Sequence, residues 1–221
     1  MHPEVIIHNS VSLDHAVRGF DVDLGQHYGA LLALEPEAVL VGSATAKSGL
    51  DMFHDISEPE AEPDRHRRDV RPDDPRPIFV IVDSRGVLQN LLHFYRNMEH
   101  TKDVVVLVAE ATPDDYLNYL REREYPFIRC GKSRVDLRGA IRELSERFGI
   151  TRVVSDSGPE LNDVLIREGI ADTISLIVHP TIAGEGEKKL FDKAGGRVAL
   201  ELREAAPMEQ GTVHLVYAVK R

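Results

Sequence analysis

Two short loops combine glycine with hydroxyl residues where an apolar stretch gives way to a helical pattern. They read Val41-Gly-Ser-Ala-Thr45 and Ser155-Asp-Ser-Gly-Pro-Glu-Leu161. Small residues at the start of a helix let backbone N–H groups approach a phosphate, and the helix dipole favours its charge. Either loop alone is more often a plain strand-to-helix turn. Two such loops on one sheet favour a dinucleotide lying across the carboxyl ends of the strands.

A third apolar stretch ends in Asp83-Ser84-Arg85. An arginine beside a hydroxyl can hold a 2′-phosphate through charge-assisted hydrogen bonds, which favours NADPH over NADH. The alternative is a turn with a surface arginine.

Other reactive side chains form no clear motif. The ten histidines include no H-x-H and no H-E-x-x-H, so no metal site is predicted. His8, His15 and His179 stand beside predicted strand ends, where a structural role competes with a role in a site. Cys130 is the only cysteine, which excludes an internal disulfide. Basic neighbours would lower its thiol pKa, and a buried inert thiol is the alternative.

Composition limits the class of partner. The 221 residues include 27 Lys and Arg against 37 Asp and Glu, a formal net charge of −10. That charge opposes binding to nucleic acid or anionic membranes, although a local basic pocket can still take one small phosphate. No run approaches the roughly 20 apolar residues of a spanning helix, and no signal peptide is recognisable. We expect a cytoplasmic protein that handles a small molecule.

Strand-like and helix-like stretches alternate along the chain, which predicts a mostly parallel α/β sheet. The last two strand-like stretches, Ala199–Ala206 and Val213–Val219, flank a turn and predict an antiparallel hairpin. Further strands are predicted at Val5–His8, Ala38–Val41, Ile78–Val82, Val104–Val108, Phe127–Arg129, Arg152–Val154 and Thr173–His179. Helices are predicted at Leu24–Leu34, Pro113–Glu124, Asp136–Phe148 and Pro159–Glu168, with a further helix opening after Gly42.

The segment Asp55–Pro77 has no apolar periodicity. It holds eight acidic residues, five arginines and five of the twelve prolines, which is typical of a solvated loop. The alternative is a lid whose arginines meet an anionic ligand, with the interleaved acids acting against that role.

Four segments follow one another in a recognisable order: Asn9–His15, Val41–Thr45, Asp83–Arg85 and Ser155–Leu161. In this order they resemble S-x-D-G, V-G-x-x-T, D-S-R/K and E-G-G-P-x-L of the dihydrofolate-reductase-like reductases of riboflavin biosynthesis. That family includes the C-terminal domain of RibD and stand-alone archaeal and fungal relatives. Asp172, Pro180, Gly184 and Gly186 follow its later pattern, so the resemblance spans nearly the whole chain.

The resemblance implies one dihydrofolate-reductase-like domain over residues 1–221, with helices on both faces of the sheet and an insert at about 55–77. It implies NADPH across the sheet and, as the family often forms one, a homodimer. Asp14 and Asp156 are the candidates for proton handling or for binding ribose hydroxyls, with a loop cap as the alternative for each. The residues implied at the cofactor are Gly42, Thr45, Ser84, Arg85, Ser157, Gly158, Pro159 and Glu160. Those implied at the nicotinamide and substrate are Asn9, Ser12 and Asp14.

The implied activity is NADPH-dependent reduction of the ribosyl group of a diaminopyrimidine or aminouracil phosphate to ribityl. Three residues depart from the family pattern: His15 replaces a glycine, Asp156 a glutamate and Ser157 a glycine. Two alternatives therefore stay open. One is a reductase of the same fold acting on a pterin or another carbonyl compound, and the other is a nucleotide-binding protein without turnover.

Overall fold

The computed structural model describes residues 2–57, 59–71 and 73–220. Strands and helices follow one another closely along the chain. The strands are β1 (Glu4–Ser12), β2 (Ala38–Gly42), β3 (Ile78–Val82), β4 (Asp103–Val108), β5 (Phe127–Arg129), β6 (Arg152–Ser155), β7 (Thr173–His179), β8 (Leu200–Pro207) and β9 (Val213–Val219). The helices are α1 (Leu24–Ala33), α2 (Ser43–Phe53), α3 (Leu92–Arg96), α4 (Asp114–Glu122), α5 (Leu137–Phe148) and α6 (Pro159–Arg167).

Contacts divide the chain into two compact units. The first consists mainly of Glu37–Thr151. Its strands are all parallel and follow the order β5-β4-β3-β2. Residues Val104–Val108 are fully buried, as expected for a parallel strand that is covered on both faces.

The second unit comprises Glu4–Pro36 and Arg152–Arg221. Its strand order is β6-β1-β7-β9-β8. β1 pairs in parallel with β6 and β7, whereas β9 is antiparallel to both β7 and β8. The predicted mostly parallel α/β fold with an antiparallel C-terminal hairpin is confirmed. The prediction of a single domain over residues 1–221 stays a prediction.

Local signals explain the helix boundaries. The Asp136 carboxylate accepts from the backbone N–H of Gly139 and caps α5 at its start. Gly149 ends the helix in the left-handed conformation, at φ +71°, which glycine adopts without the penalty of a Cβ atom. Pro159 opens α6, where its missing N–H costs no hydrogen bond. Among the described residues, no helix is both long enough and apolar enough to span a bilayer.

The charged segment Asp55–Pro77 is mainly irregular, with one short 3-10 turn at Glu62–Arg65. Glu58 and Pro72 of this prediction lie outside the described residues. Several of its arginines bond within the first unit. The guanidinium of Arg67 donates to Asp103, and that of Arg76 to Asp74. Nearby acidic residues therefore neutralise these two arginines locally, and neither side chain acts as part of an open basic lid.

Candidate active site

Asp14 lies just after the end of β1, and its carboxylate joins two loops of the second unit. Oδ1 accepts from the Ser12 hydroxyl at 2.6 Å and from the backbone N–H of Ala183 at 3.0 Å. Oδ2 accepts from the N–H of Gly184 at 3.2 Å. The Ser12 hydrogen bond, followed by that from Ala183, holds the pKa of Asp14 well below its usual range. The ionised carboxylate is therefore built to accept hydrogen bonds and is poorly suited to donate a proton.

Ser12 itself is fully buried. Its hydroxyl donates to Asp14 and accepts from the backbone N–H of Ala16. The next position explains the glycine of the S-x-D-G pattern. His15 has φ +65°, in the left-handed region that favours glycine. The turn keeps this geometry with a histidine because the N–H of His15 bonds to Ser12 O at 2.9 Å.

Asn9 and Asn162 hold the loop between β6 and α6 by hydrogen bonds to its backbone. The Asn9 amide donates to the backbone oxygen of Ser157, and its own oxygen accepts from the Asn162 amide at 2.7 Å. The hydroxyl of Ser155 donates to the oxygen of Asn162 at 2.8 Å. All of these side chains are buried. The structure thus brings Asn9 and Ser157 together, as loop supports.

Asp156 is the carboxylate that this loop presents. Its Oδ1 lies 3.1 Å from Nε2 of His27 on α1. The other ring nitrogen of His27, Nδ1, lies 3.0 Å from the hydroxyl of Ser10. The side chain of Asp156 is 22% exposed and that of His27 only 8%. Asp156 is therefore the member of the pair that reaches toward solvent, and His27 stands behind it.

Tyr28 lies beside this pair, with its ring edge-on to His27 at 5.0 Å between centroids. Burial, reinforced by the charge of Asp156, raises the pKa of Tyr28 to about 12. The phenol therefore stays protonated at neutral pH. Farther along the loop, Glu160 is exposed on the first turn of α6, 3.3 Å from the Lys188 ammonium.

A second group of polar side chains, buried or half-buried, continues from His27 across β1, β7 and β9. His8 Nε2 lies 3.1 Å from the backbone oxygen of His27, and His8 Nδ1 lies 3.0 Å from the Ser175 hydroxyl. That hydroxyl lies 2.8 Å from Nε2 of His214. Burial, and then the neighbouring His27, lowers the pKa of His8 to about 4. His8 is therefore neutral at physiological pH.

Sequence reasoning missed His27, Ser10, Asn162, Ser175 and His214. One signal was available: the stretch from His8 to Ser12 places polar residues at i, i+2 and i+4, on one face of an extended strand. Polar side chains buried on a central strand need partners, so such a face indicates a network. In the described ranges, no three His, Cys, Asp or Glu side chains form a group that could hold a metal ion.

Gly42 and Thr45 lie in the first unit, at the start of α2. Gly42 is the N-cap residue of this 11-residue helix and contributes no capping side chain. The backbone N–H groups at the start of a helix, together with its dipole, favour an anion. Gly158 occupies the equivalent position in the second unit, ahead of Pro159 and the nine-residue α6. Each unit therefore offers one helix start of the kind that suits a phosphate.

The loop after β3 is held by Asp83, which is fully buried. Its carboxylate accepts from the backbone N–H groups of Arg85, Val87 and Leu88. The backbone oxygen of Ser84 accepts from the Thr112 hydroxyl. This rigid turn leaves the side chain of Arg85 exposed, a placement that suits recognition of an anion.

Cys130 does not have the lowered thiol pKa expected from its basic neighbours. Burial, followed by the nearby charge of Asp136, raises the pKa of this thiol. The sulfur lies 3.9 Å from Oδ2 of Asp136. Burial and the Asp136 carboxylate outweigh the lowering effect of Arg142, so the idea of an activated thiolate is wrong.

The fold is shared with solved reductases. The chain superposes on a pyrimidine reductase-like protein from Corynebacterium diphtheriae with a TM-score of 0.74 and 18% identity, covering 99% of this chain and 92% of that one. It superposes on the riboflavin biosynthesis reductase Rib7 of Saccharomyces cerevisiae with a TM-score of 0.64 and 18% identity, covering 99% and 90%. Dihydrofolate reductase from Enterococcus faecalis gives a TM-score of 0.51 at 9% identity, covering 100% and 99%. The fold is therefore that of the dihydrofolate-reductase-like proteins.

The particular family follows from the sequence comparison. The model of the RibD C-terminal domain matches residues 4–214, and the chain belongs to that family. It is 27% identical over 161 residues to the 2,5-diamino-6-ribosylamino-4(3H)-pyrimidinone 5′-phosphate reductase of Methanothermobacter thermautotrophicus, covering 70% of this chain and 71% of the relative. It is 24% identical over 185 residues to the riboflavin biosynthesis protein RibD of Chlamydia pneumoniae, covering 83% of this chain but only 44% of that protein. The archaeal relative is named as a reductase, and the relative from Chlamydia as a riboflavin biosynthesis protein.

Proposed function

We propose that the chain is an NADPH-dependent reductase that converts the ribosyl group of a diaminopyrimidine or aminouracil ribosylamino 5′-phosphate to ribityl. Family membership and the named relatives support the reaction class. The observation that carries the proposal is the partly exposed carboxylate of Asp156 at the start of α6, backed by His27. A carboxylate at that place can serve the one proton that the reaction consumes.

The reaction has two requirements of the protein. A bound nicotinamide supplies the hydride, and the protein must hold the acceptor carbon at near-attack distance. The sugar ring must also open, which breaks the C1′–O4′ bond and leaves an oxygen that needs a proton. Asp156 is our candidate for that proton transfer. Asp14, with its lowered pKa and its hydrogen bonds to Ser12, Ala183 and Gly184, instead shapes the neighbouring loop.

Each unit has a helix start that suits a phosphate group. Gly42 and Gly158 each begin a helix of nine or more residues without contributing a side chain that would obstruct an anion. Thr45, Ser157, Pro159 and Glu160 stay predicted cofactor residues on the first turns of these helices or beside them. Ser84 and Arg85 stay the predicted contacts of the adenosine end, with Arg85 reading the 2′-phosphate. Asn9 and Ser12, both buried, are proposed to act on the substrate by holding the loops around it.

A homodimer is part of the proposal. β8 lies at the edge of the strand order in the second unit, and most of its residues are exposed. Leu200 and Leu202 on this strand are 41% and 53% exposed. An exposed edge strand with apolar side chains is a template for pairing with another chain. Light scattering is expected to give a dimer, and Leu202→Lys a monomer; a monomeric wild-type protein would reject this part.

One experiment tests the function directly. NADPH is titrated into the protein, and its oxidation is then followed with the diaminopyrimidine ribosylamino 5′-phosphate as substrate. We expect saturable binding and turnover to the ribityl product. Absence of NADPH binding at millimolar concentration would remove the cofactor assignment. Turnover with dihydrofolate but not with the ribosylamino phosphate would show the pterin alternative instead.

A second candidate is a nucleotide-binding protein without turnover. The observation in its favour is Ser157, a buried side chain where the family pattern has glycine. A serine Cβ and hydroxyl take up room beside a backbone that the pattern leaves bare. NADPH binding without product formation in the same assay would favour this candidate. A Ser157→Gly variant would then gain activity.

A further inference from the structure

We propose that His27 is the positioning residue of Asp156 and holds the proton that Asp156 delivers to the opening sugar ring. The inference rests on the proposed reductase function. The inference goes beyond that function because it assigns a role to a buried side chain on α1, which no part of the family pattern contains. The argument starts from the hydrogen-bonding capacity of the atoms around the imidazole.

The partners of His27 accommodate its ring in two protonation states. A carboxylate only accepts hydrogen bonds, so Nε2 of His27 carries a hydrogen and donates to Asp156 Oδ1 over 3.1 Å. Nδ1 faces the hydroxyl of Ser10 at 3.0 Å. A hydroxyl both donates and accepts, so Ser10 can donate to a neutral ring and accept from a protonated one. Ser10 therefore gives Nδ1 a hydrogen-bond partner whether or not that nitrogen carries a hydrogen.

The neighbouring His8 is neutral at physiological pH. Burial, and then the neighbouring His27, lowers its pKa to about 4. Its Nε2 faces the backbone oxygen of His27, which accepts only, so that nitrogen carries the hydrogen. Its Nδ1 then accepts from the Ser175 hydroxyl. Of these two rings, His27 is the one that contacts the Asp156 carboxylate.

The surroundings of the pair agree with this assignment. On α1, the Tyr28 ring lies against His27 and stays uncharged at neutral pH. On β7, His179 has a pKa lowered by burial, with Asp23 and His27 acting on it electrostatically. The pKa of His214 on β9 is also lowered by burial. Asp156 is therefore the one carboxylate in hydrogen-bonding contact with His27 among the described residues.

The proton step balances as follows. The proton held between His27 and Asp156 passes through the carboxyl group to O4′ of the ribosylamine as the C1′–O4′ bond breaks. The nitrogen lone pair forms a C1′=N double bond, and C1′ then takes up the hydride that a bound nicotinamide cofactor would supply, which gives the ribitylamine. His27 is left neutral and regains its proton from solvent. The sum consumes one NADPH and one proton.

Two substitutions separate positioning from proton storage. In His27→Gln, the amide nitrogen takes the place of Nε2 and still donates to Asp156, but the side chain cannot take up a proton. We expect kcat to fall about 100-fold, the scale of general acid–base catalysis. We also expect a flattened kcat–pH profile, with KM and NADPH affinity within about twofold of the wild type. His27→Ala removes the hydrogen bond as well and is expected to lower kcat further.

A structural control lies in the same cluster. His214→Gln disturbs the buried network on the side away from Asp156, and it is expected to lower the unfolding temperature while kcat is kept. The proposal is overturned if His27→Gln keeps the wild-type kcat and pH profile. It is also overturned if His214→Gln lowers kcat as much as His27→Gln does.

A readout that does not depend on turnover tests the pair itself. Nitrogen-15 NMR of the histidine rings is expected to show His27 with hydrogen on Nε2 in the wild type. Asp156→Ala is expected to give a mixture of tautomers. A wild-type ring with hydrogen only on Nδ1 would overturn the inference. If the wild-type protein binds NADPH but turns nothing over, the proposed function fails, and the NMR result still decides whether His27 and Asp156 act as a pair.

Discussion

Asn9 and Asn162 donate to the same backbone oxygen, that of Ser157, over N···O distances of 2.9 and 2.8 Å. One asparagine belongs to β1 and the other to α6, so the carbonyl ties a strand and a helix of the second unit to the loop between β6 and α6. Both side chains are buried, so this hydrogen bonding is shielded from competition with water. The orientation of the Asp156–Gly158 backbone depends on these two amides.

Asn162→Ala tests that dependence. The substitution removes one of the two donors to Ser157, the donor to Asn9 and the acceptor of the Ser155 hydroxyl. We expect a loss of about 1–3 kcal/mol in the free energy of unfolding, the usual cost of breaking buried hydrogen bonds. We also expect weaker NADPH binding. Urea unfolding and cofactor titration measure the two effects. The exposed Asn118→Ala on α4 is the control and should change stability by less than about 0.5 kcal/mol.

Arg85→Ala tests the reading of the 2′-phosphate. A hydrogen bond between charged groups contributes about 1.5–3 kcal/mol, which corresponds to roughly a 10- to 100-fold change in Kd. We expect that loss for NADPH and little change for NADH, measured by fluorescence titration of both cofactors. Arg142→Ala, on the exposed face of α5, is the matched control and should affect neither cofactor. Equal losses for the two cofactors would exclude contact between Arg85 and the 2′-phosphate.

His15→Gly tests the strain in the turn after Asp14. A left-handed residue with a Cβ atom costs roughly 1–2 kcal/mol, and glycine loses roughly 0.5–1 kcal/mol more backbone entropy on folding. We expect a net gain of roughly 0.5–1 kcal/mol in the free energy of unfolding, seen as a higher Tm. His66→Gly provides the contrast, because His66 has φ −113° and gains nothing from glycine. A lower Tm for His15→Gly would show that the histidine side chain itself stabilises the turn.

The lowered pKa of His8 predicts how the free energy of unfolding depends on pH. Its pKa in the folded protein is about 4 against an ordinary 6.5, so the unfolded chain takes up a proton at this ring first as pH falls. The stabilisation is complete above pH 6.5 and is lost between pH 6.5 and 4, by an amount of up to about 3 kcal/mol. Urea unfolding across this range measures the slope. His8→Gln should reduce the slope, and the exposed His100→Gln should leave it unchanged.

Much of the fold was predictable because apolar runs carry their own signal. The buried run Ile78–Val82 was predicted with the bounds that β3 has, and Thr173–His179 likewise. β1 was predicted only for Val5–His8, because the polar residues Asn9, Ser10 and Ser12 resemble a loop until their partners are known. α3 was missed, since five residues are too short for an apolar period to emerge.

The candidate site was less predictable than the fold. Asp14 and Asp156 were named from the family pattern, but the contacts of Asp156 were not. His27 is 129 residues away from Asp156 in sequence, and Ser175 is 167 away from His8. Such pairs are set by the arrangement of strands, and no local spacing in the sequence encodes them.

The polar face of β1 has a consequence for how the second unit comes apart. His8 and Ser10 find their hydrogen-bond partners on α1 and β7, so β1 is satisfied only when both neighbours are in place. A folding intermediate that buried β1 without α1 and β7 would leave its polar groups desolvated and without hydrogen-bond partners. The hydrogen bonds of β1 therefore make unfolding of this unit cooperative. The amide hydrogens of β1 should exchange with solvent only when the whole unit unfolds, and α1 and β7 should lose protection from exchange together.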